Sequence, residues 1–185
     1  ADEVMTGFGK TGTYFASDKV RIKPDIICLS KALTAGLLPL AMTSCTEAIY
    51  NAFYDEEIRK GFFHGHTYTA NPLACTRALS ALKLLPSAEI QENIRRITDR
   101  HQQFDKEIKN HPRISATRQK GVIYALDLNI ETPRYGSLRD RLYEYFMEKG
   151  VYLRPLGKTI YLLPPYIISD VQLNKVYSAV TGALE

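Results

Sequence analysis

"KPDIICLSKALTAG" (residues 23–36) is the stretch whose reading decides the fold. Pro24 precedes a short apolar run from Ile26 to Leu29, which runs straight into Ser30 and Lys31. After the lysine the chain turns small and flexible through Ala32, Thr34, Ala35 and Gly36. A short apolar run of this kind suits a strand buried on both faces, as in a parallel sheet. A lysine that closes such a strand ordinarily snorkels its ammonium to water. It can instead be a desolvated catalytic amine, ready to form a Schiff base. What decides between them is a joint pattern. Asp2 and Glu3 stand at the end of one possible strand ("DEVMT"), a glycine loop follows, and then comes the run from Asp25 to Lys31.

Working outward, residues 7–24 are glycine-rich, aromatic and polar, and fit a loop with short extended pieces. "LAMTS" (40–44) predicts a second short strand, and "CTEAIYNAF" (45–53) a helix capped by Thr46. "NPLACTRALSALKLLP" (71–86) predicts a helix with Asn71 as N-cap, Pro72 at its first position and Pro86 at its end. Apolar residues cover much of its circumference, so it is expected to be largely buried. A domain boundary is placed at Pro86, dividing residues 1–86 from 87–185. Ile90, Ile94, Ile97, His101, Phe104 and Ile108 form one stripe at helical spacing, which predicts a helix over 87–110 with His101 packed on its apolar face. "ISATRQ" (114–119) and "GVIYALDLN" (121–129) read as strands. "SLRDRLYEYFMEKG" (137–150) predicts a helix with a capping-box-like start at Ser137 and Asp140 and a stop at Gly150. "VYLRP" (151–155) and "TIYLLPPY" (159–166) read as strands, and 169–184 as a last amphipathic helix. The first part therefore looks like a piece of an α/β sheet domain, the rest like a smaller α+β domain.

Several motifs carry possible chemistry. "GFGKTG" (7–12) matches G-x-G-x-x-G, but no helix with an apolar stripe follows it. It reads as a glycine loop that lets the backbone pass close to something, not as a nucleotide fingerprint. His64 and His66 stand two apart without a convincing third ligand, so no metal site is assigned. The Gly65 amide, the Thr67 hydroxyl and the helix start at Asn71 could together hold an anion such as phosphate. Arg154 is either a strand-end partner in a surface salt bridge or a carboxylate clamp, for which a guanidinium fork is suited.

Composition sets the background. The chain has 185 residues, a net charge of +4, 45% apolar and 24% charged residues, ordinary values for a globular protein of one domain or two small ones. Arg95, Arg96 and Arg100 are interrupted by Thr98 and Asp99 and read as a solvated helix face, not a nucleic-acid patch. No stretch approaches the roughly 18 apolar residues of a membrane helix. Three cysteines without a CxxC suggest reduced thiols in a cytoplasmic protein. The N-terminus "ADEVMTGFGK" has no obvious element start and reads as cut from something longer.

"DEVMTGFGKTG" followed by "DIICLSKALTAG" resembles the signature of the class III pyridoxal-phosphate aminotransferases, and "HGHTYTANPLAC" (64–75) resembles that family's phosphate-contact loop. The resemblance covers the whole chain, matching the C-terminal two-fifths or so of a typical member. It implies a fold-type I transferase: the end of the cofactor-binding large domain in residues 1–86, and the small C-terminal domain in 87–185. It implies pyridoxal 5'-phosphate held by Lys31, which then acts as the base in the proton shift, and Asp2 paired with the pyridinium nitrogen. Thr67, with the backbone near His66, is implied to reach the phosphate from the neighbouring subunit of a homodimer. Gly65 is implied to line the substrate pocket, and Arg154 to clamp a keto-acid carboxylate. "LRPLGKTIYLLPPYII" (153–168) resembles the biotin-pathway branch. That branch takes S-adenosylmethionine as amino donor and 8-amino-7-oxononanoate as acceptor, with Tyr161 as a polar contact to the donor. An ornithine or other ω-amino-acid aminotransferase is the alternative within the family, and a non-catalytic dimerisation module the alternative outside it. The isolated chain is expected to be inactive.

Overall fold

The computed structural model describes residues 1–185. The chain divides into two units, Ala1–Ala88 and Glu89–Glu185.

The first unit is built around two strands, β1 (Ile26–Leu29) and β2 (Met42–Cys45), paired antiparallel with Ile26 opposite Cys45 and Leu29 opposite Met42. Ahead of them Asp2 forms a parallel bridge to Cys28. "DEVMT" is thus one bridge followed by turns, not a strand. A four-residue helix, α1 (Ser17–Val20), closes the glycine loop. Lys31–Thr34 forms a 3₁₀ turn after β1, and the short helix α2 (Glu47–Asn51) follows β2. Thr46 stands at the N-cap of α2 without a side-chain cap bond; its backbone carbonyl accepts from Ile49 and Tyr50 instead. Helix α3 (Pro72–Leu84) starts as expected, with the Asn71 side chain accepting from the amides of Leu73 and Ala74. It packs against the Lys31–Thr34 turn.

Burial in this unit differs from expectation. Only Leu29 of β1 is buried, and Ile26 is 44% exposed. In α3, Ala74 and Ala78 are buried, while Leu73, Leu79 and Leu84 face outward. The physical reason is plain in the sheet. A strand reads as buried on both faces when parallel neighbours and crossover helices cover it, and here β1 has one antiparallel neighbour and a single parallel bridge.

The second unit is a three-stranded antiparallel sheet in the order β3 (Ile114–Lys120), β4 (Ile123–Leu128), β5 (Thr159–Leu162), with α4 (Ala88–Ile108), α5 (Ser137–Glu148) and α6 (Asp170–Gly182). Gly121, at φ +57°, opens the tight turn from β3 to β4. The core gathers Ile97, Tyr124, Leu126, Phe146, Ile160 and Val180, all essentially without solvent contact. The stripe read from the sequence faces this core: Ile94, Ile97, His101, Phe104 and Ile108 are buried on α4. Residues 151–155 do not form a strand; β4 takes β5 as its second neighbour, and only Leu156 bridges back to Thr159. Helix α5 begins at a Gly136 N-cap with no side-chain cap, so Ser137 and Asp140 make no capping box. Helix α6 has one, reciprocal between Ser169 and Gln172. No helix is long and apolar enough to cross a membrane.

Candidate active site

Lys31 follows β1 with φ +47°, in the left-handed region that a side chain other than glycine seldom occupies. Such a conformation costs about 1 kcal/mol and persists only where the surroundings enforce it. Two side chains do so here. The Ser30 hydroxyl donates to the Leu40 carbonyl at 2.8 Å, tying together the ends of the connection between β1 and β2. The buried Thr34 hydroxyl donates to the Leu38 carbonyl at 2.6 Å. The lysine itself is exposed, and its ammonium makes no hydrogen bond or ion pair within the chain.

Asp2 is brought to the same strand end. Cys28 donates to the Ala1 carbonyl at 2.9 Å and accepts from the Glu3 amide at 3.0 Å, so Asp2 is pinned from both sides to Cys28, which stands three residues before Lys31. One carboxylate oxygen of Asp2, Oδ1, accepts from the Val4 amide at 3.0 Å; Oδ2 has no protein partner. The residue after it, Glu3, is buried and was not singled out by sequence reasoning. Burial pushes its carboxyl up, but hydrogen bonds from Thr6, from the Ser17 and Ala16 amides and from the Ser17 hydroxyl outweigh this and hold it below the usual range.

The glycine loop packs back on this corner. Phe8, at φ +62°, is buried edge-on between Tyr14 and Phe15. A Cβ on Gly7 would come within 2.9 Å of the Glu3 carbonyl oxygen, so the backbone does pass close at that point.

Gly65, His66 and Thr67 lie in an exposed turn ahead of α3. The His66 amide donates to Thr69 Oγ1 at 2.9 Å, and its Nδ1 accepts from the Tyr68 amide at 3.1 Å. The Thr67 amide and hydroxyl are uncommitted, as is the Gly65 amide, so the free backbone donors here are those of Thr67 and Gly65, while the His66 amide is spent and its ring, accepting at Nδ1, keeps a free Nε2–H. Asn71 already caps the first amides of α3. His64 is exposed beside Phe62, and no group of three or more His, Cys, Asp or Glu side chains is placed to hold a metal.

In the second unit, Arg154 and Tyr161 line one groove of about 690 Å³, with Leu153, Leu163, Pro164 and Pro165 as apolar walls. Arg154 has no acidic partner, so the surface salt bridge is absent and its guanidinium is free. The Tyr161 hydroxyl is likewise unbonded. Asp2 Oδ2, the Lys31 amine and the Thr67 hydroxyl are therefore unspent groups of the first unit. They are of the kinds that a charged ring nitrogen, a carbonyl carbon and a phosphate require, so these residues fit pyridoxal phosphate.

The aminotransferase class-III family model matches residues 1–184. The chain is 41% identical to the adenosylmethionine-8-amino-7-oxononanoate aminotransferase of Synechococcus elongatus, over 100% of its own length and 43% of that protein's. It is 38% identical to the enzyme of the same name from Helicobacter pylori, over 100% and 42%. Among solved structures it resembles a PMP-bound aminotransferase from Vibrio fluvialis (TM-score 0.88, 30% identity, 100% of this chain and 42% of that one). It also resembles an omega-aminotransferase from Paracoccus denitrificans with the same four values, 0.88, 30%, 100% and 42%. The chain thus spans about two-fifths of the length of these relatives.

Proposed function

The chain belongs to the class-III aminotransferases, and on that premise we propose that the intact protein is a pyridoxal-phosphate-dependent aminotransferase. In this reading it converts 8-amino-7-oxononanoate to 7,8-diaminononanoate with S-adenosylmethionine as amino donor, in biotin biosynthesis. The observation that carries the reading is the corner where the Asp2–Cys28 bridge brings a residue with a free carboxylate oxygen to β1, the strand that leads through Ser30 into Lys31. The cofactor, when bound, supplies a carbonyl that takes up the amino group and a ring that accepts the electron pair left on the donor carbon. Lys31 would hold it through Nζ and would move a proton at that nitrogen. Asp2 Oδ2 would face the ring nitrogen and favour its protonated form. The Thr67 hydroxyl and the backbone around His66 take the phosphate of a neighbouring copy, which makes the working form a homodimer. Gly65, without a side chain, leaves room for substrate. The free Arg154 guanidinium holds the keto-acid carboxylate by a bidentate pair, and Tyr161 contacts the donor.

A second reading keeps the family and changes the donor to an ω-amine or ornithine; the omega-aminotransferase among the structural relatives favours it. One experiment separates the two. The intact gene product is loaded with pyridoxal phosphate and given S-adenosylmethionine without acceptor, while its visible absorption band is followed. Conversion to the pyridoxamine form supports the biotin-pathway donor. A band that ignores S-adenosylmethionine but responds to ornithine or another ω-amine moves the substrate. No band at all leaves a non-catalytic dimerisation module. Lys31→Ala is expected to abolish the band and lower turnover at least a thousandfold, about 4 kcal/mol of barrier.

A further inference from the structure

Asp2 is exposed, while Glu3 beside it is 2% exposed. Two adjacent carboxylates in extended backbone point to opposite sides, and here they have opposite fates. Glu3 Oε1 accepts from the Ser17 amide at 2.8 Å and the Ser17 hydroxyl at 2.9 Å. Glu3 Oε2 accepts from the Ala16 amide at 3.1 Å and from the Thr6 hydroxyl. A buried carboxylate survives only when its lone pairs are satisfied, and four donors do this from both ends of the glycine loop. The Glu3 backbone is fixed as well: its amide donates to Cys28 and its carbonyl accepts from Gly7 at 3.0 Å.

We propose that Glu3 is a positioning residue for the transamination reaction: clamped to Thr6, Ala16 and Ser17, it fixes the turn whose Val4 amide aims the Asp2 carboxylate at the cofactor ring nitrogen. The inference rests on the reading of Asp2 given above. Asp2 is oriented through a single hydrogen bond, Val4 N–H to Oδ1. The direction of that N–H is set by the peptide between Glu3 and Val4. That peptide is held at one end by Cys28 and at the other by the Glu3–Gly7 turn. Without the Glu3 clamp the turn loses its side-chain ties to Thr6, Ala16 and Ser17 and is held by the backbone bonds to Cys28 and Gly7 alone, which leaves the peptide a wider range of orientations. Asp2 then loses its aim.

The test uses the intact gene product carrying Glu3→Gln, with Asp2→Asn as reference. The amide keeps the shape of the carboxylate but presents its NH₂ to donors that need an acceptor. The readouts are the pH midpoint of the visible band of the Lys31-bound cofactor, the pyridoxal phosphate dissociation constant and kcat. Glu3→Gln is expected to move the band midpoint in the same direction as Asp2→Asn and to lower kcat about tenfold, the scale commonly reached by outer-shell partners. Unchanged band midpoint and kcat, with only a lower melting temperature, overturn the proposal and leave Glu3 as a loop anchor. An Asp2→Asn protein with the parent's band and midpoint instead removes the underlying role of Asp2. Should Glu3→Gln not fold, Ser17→Ala and Thr6→Val each remove one donor to the same carboxylate. Both are expected to shift the midpoint the same way by a smaller amount, and no shift in either overturns the proposal.

Discussion

At the scale of single residues, His101 has both ring nitrogens engaged inside the second unit. Nε2 lies 3.1 Å from the Val122 carbonyl oxygen and Nδ1 2.9 Å from the Tyr177 hydroxyl. The carbonyl can only accept, so Nε2 carries the proton and Tyr177 donates to Nδ1. Burial lowers the imidazole pKa to about 4 from 6.5, against a smaller opposing effect of the Val122 bond. The unfolded chain therefore binds the extra proton first. Stability is full above the unfolded value and falls as pH drops from about 6.5 to about 4, by roughly 3 kcal/mol in all. Urea midpoints at pH 7, 5.5 and 4 measure this, and His101→Phe is expected to flatten the dependence in that window. Asp127, held low by Arg118 and Thr159 against desolvation, loses its contribution only in more acid solution. His101 was legible as a packed residue because the helical stripe placed it among isoleucines. Glu3 was not, because a sequence shows two adjacent carboxylates without showing which of them turns inward.

Single elements differ in how their ends are held, and this gives a paired test. Ser169 accepts from the Gln172 amide at 3.2 Å in a reciprocal box, so Ser169→Ala is expected to cost the second unit about 1 kcal/mol. Ser137 looks equally like a cap in the sequence, but it lies inside α5 behind Gly136, so Ser137→Ala is expected to cost nothing measurable. Urea midpoints of the two variants check the contrast. Helix α4 was readable throughout, because its signal is a local period of 3.6. The strand expected at 151–155 was not, because two neighbouring β-rich segments compete for one edge of β4. Which of them wins depends on long-range pairing, and β5 wins by matching Thr159–Leu162 to Asp127–Tyr124. The burial of β1 and α3 was misread for a related reason. Apolar residues announce a wish to be covered, and the cover lies outside their own segment.

Over the whole molecule the two units carry unequal cores. The second has a closed set of buried side chains from every one of its strands and its helices, and residues 87–185 are expected to fold alone with a cooperative transition by circular dichroism. The first exposes Phe62, Phe63, Tyr68 and Leu73, each more than 70% accessible. Exposed aromatic surface on that scale is a site for association. Spanning about two-fifths of the length of its relatives, the 185-residue chain alone is expected to show no turnover in the transamination assay, and a measurable rate overturns this. The division between the units has a calorimetric consequence. The 97 residues of Glu89–Glu185 should absorb about 70 kcal/mol on melting near 60 °C. Where the first unit melts at another temperature, no single melting temperature describes this chain. Each variant must be compared with the endotherm of the unit that carries it, and an average over both would hide a loss in one behind the constancy of the other.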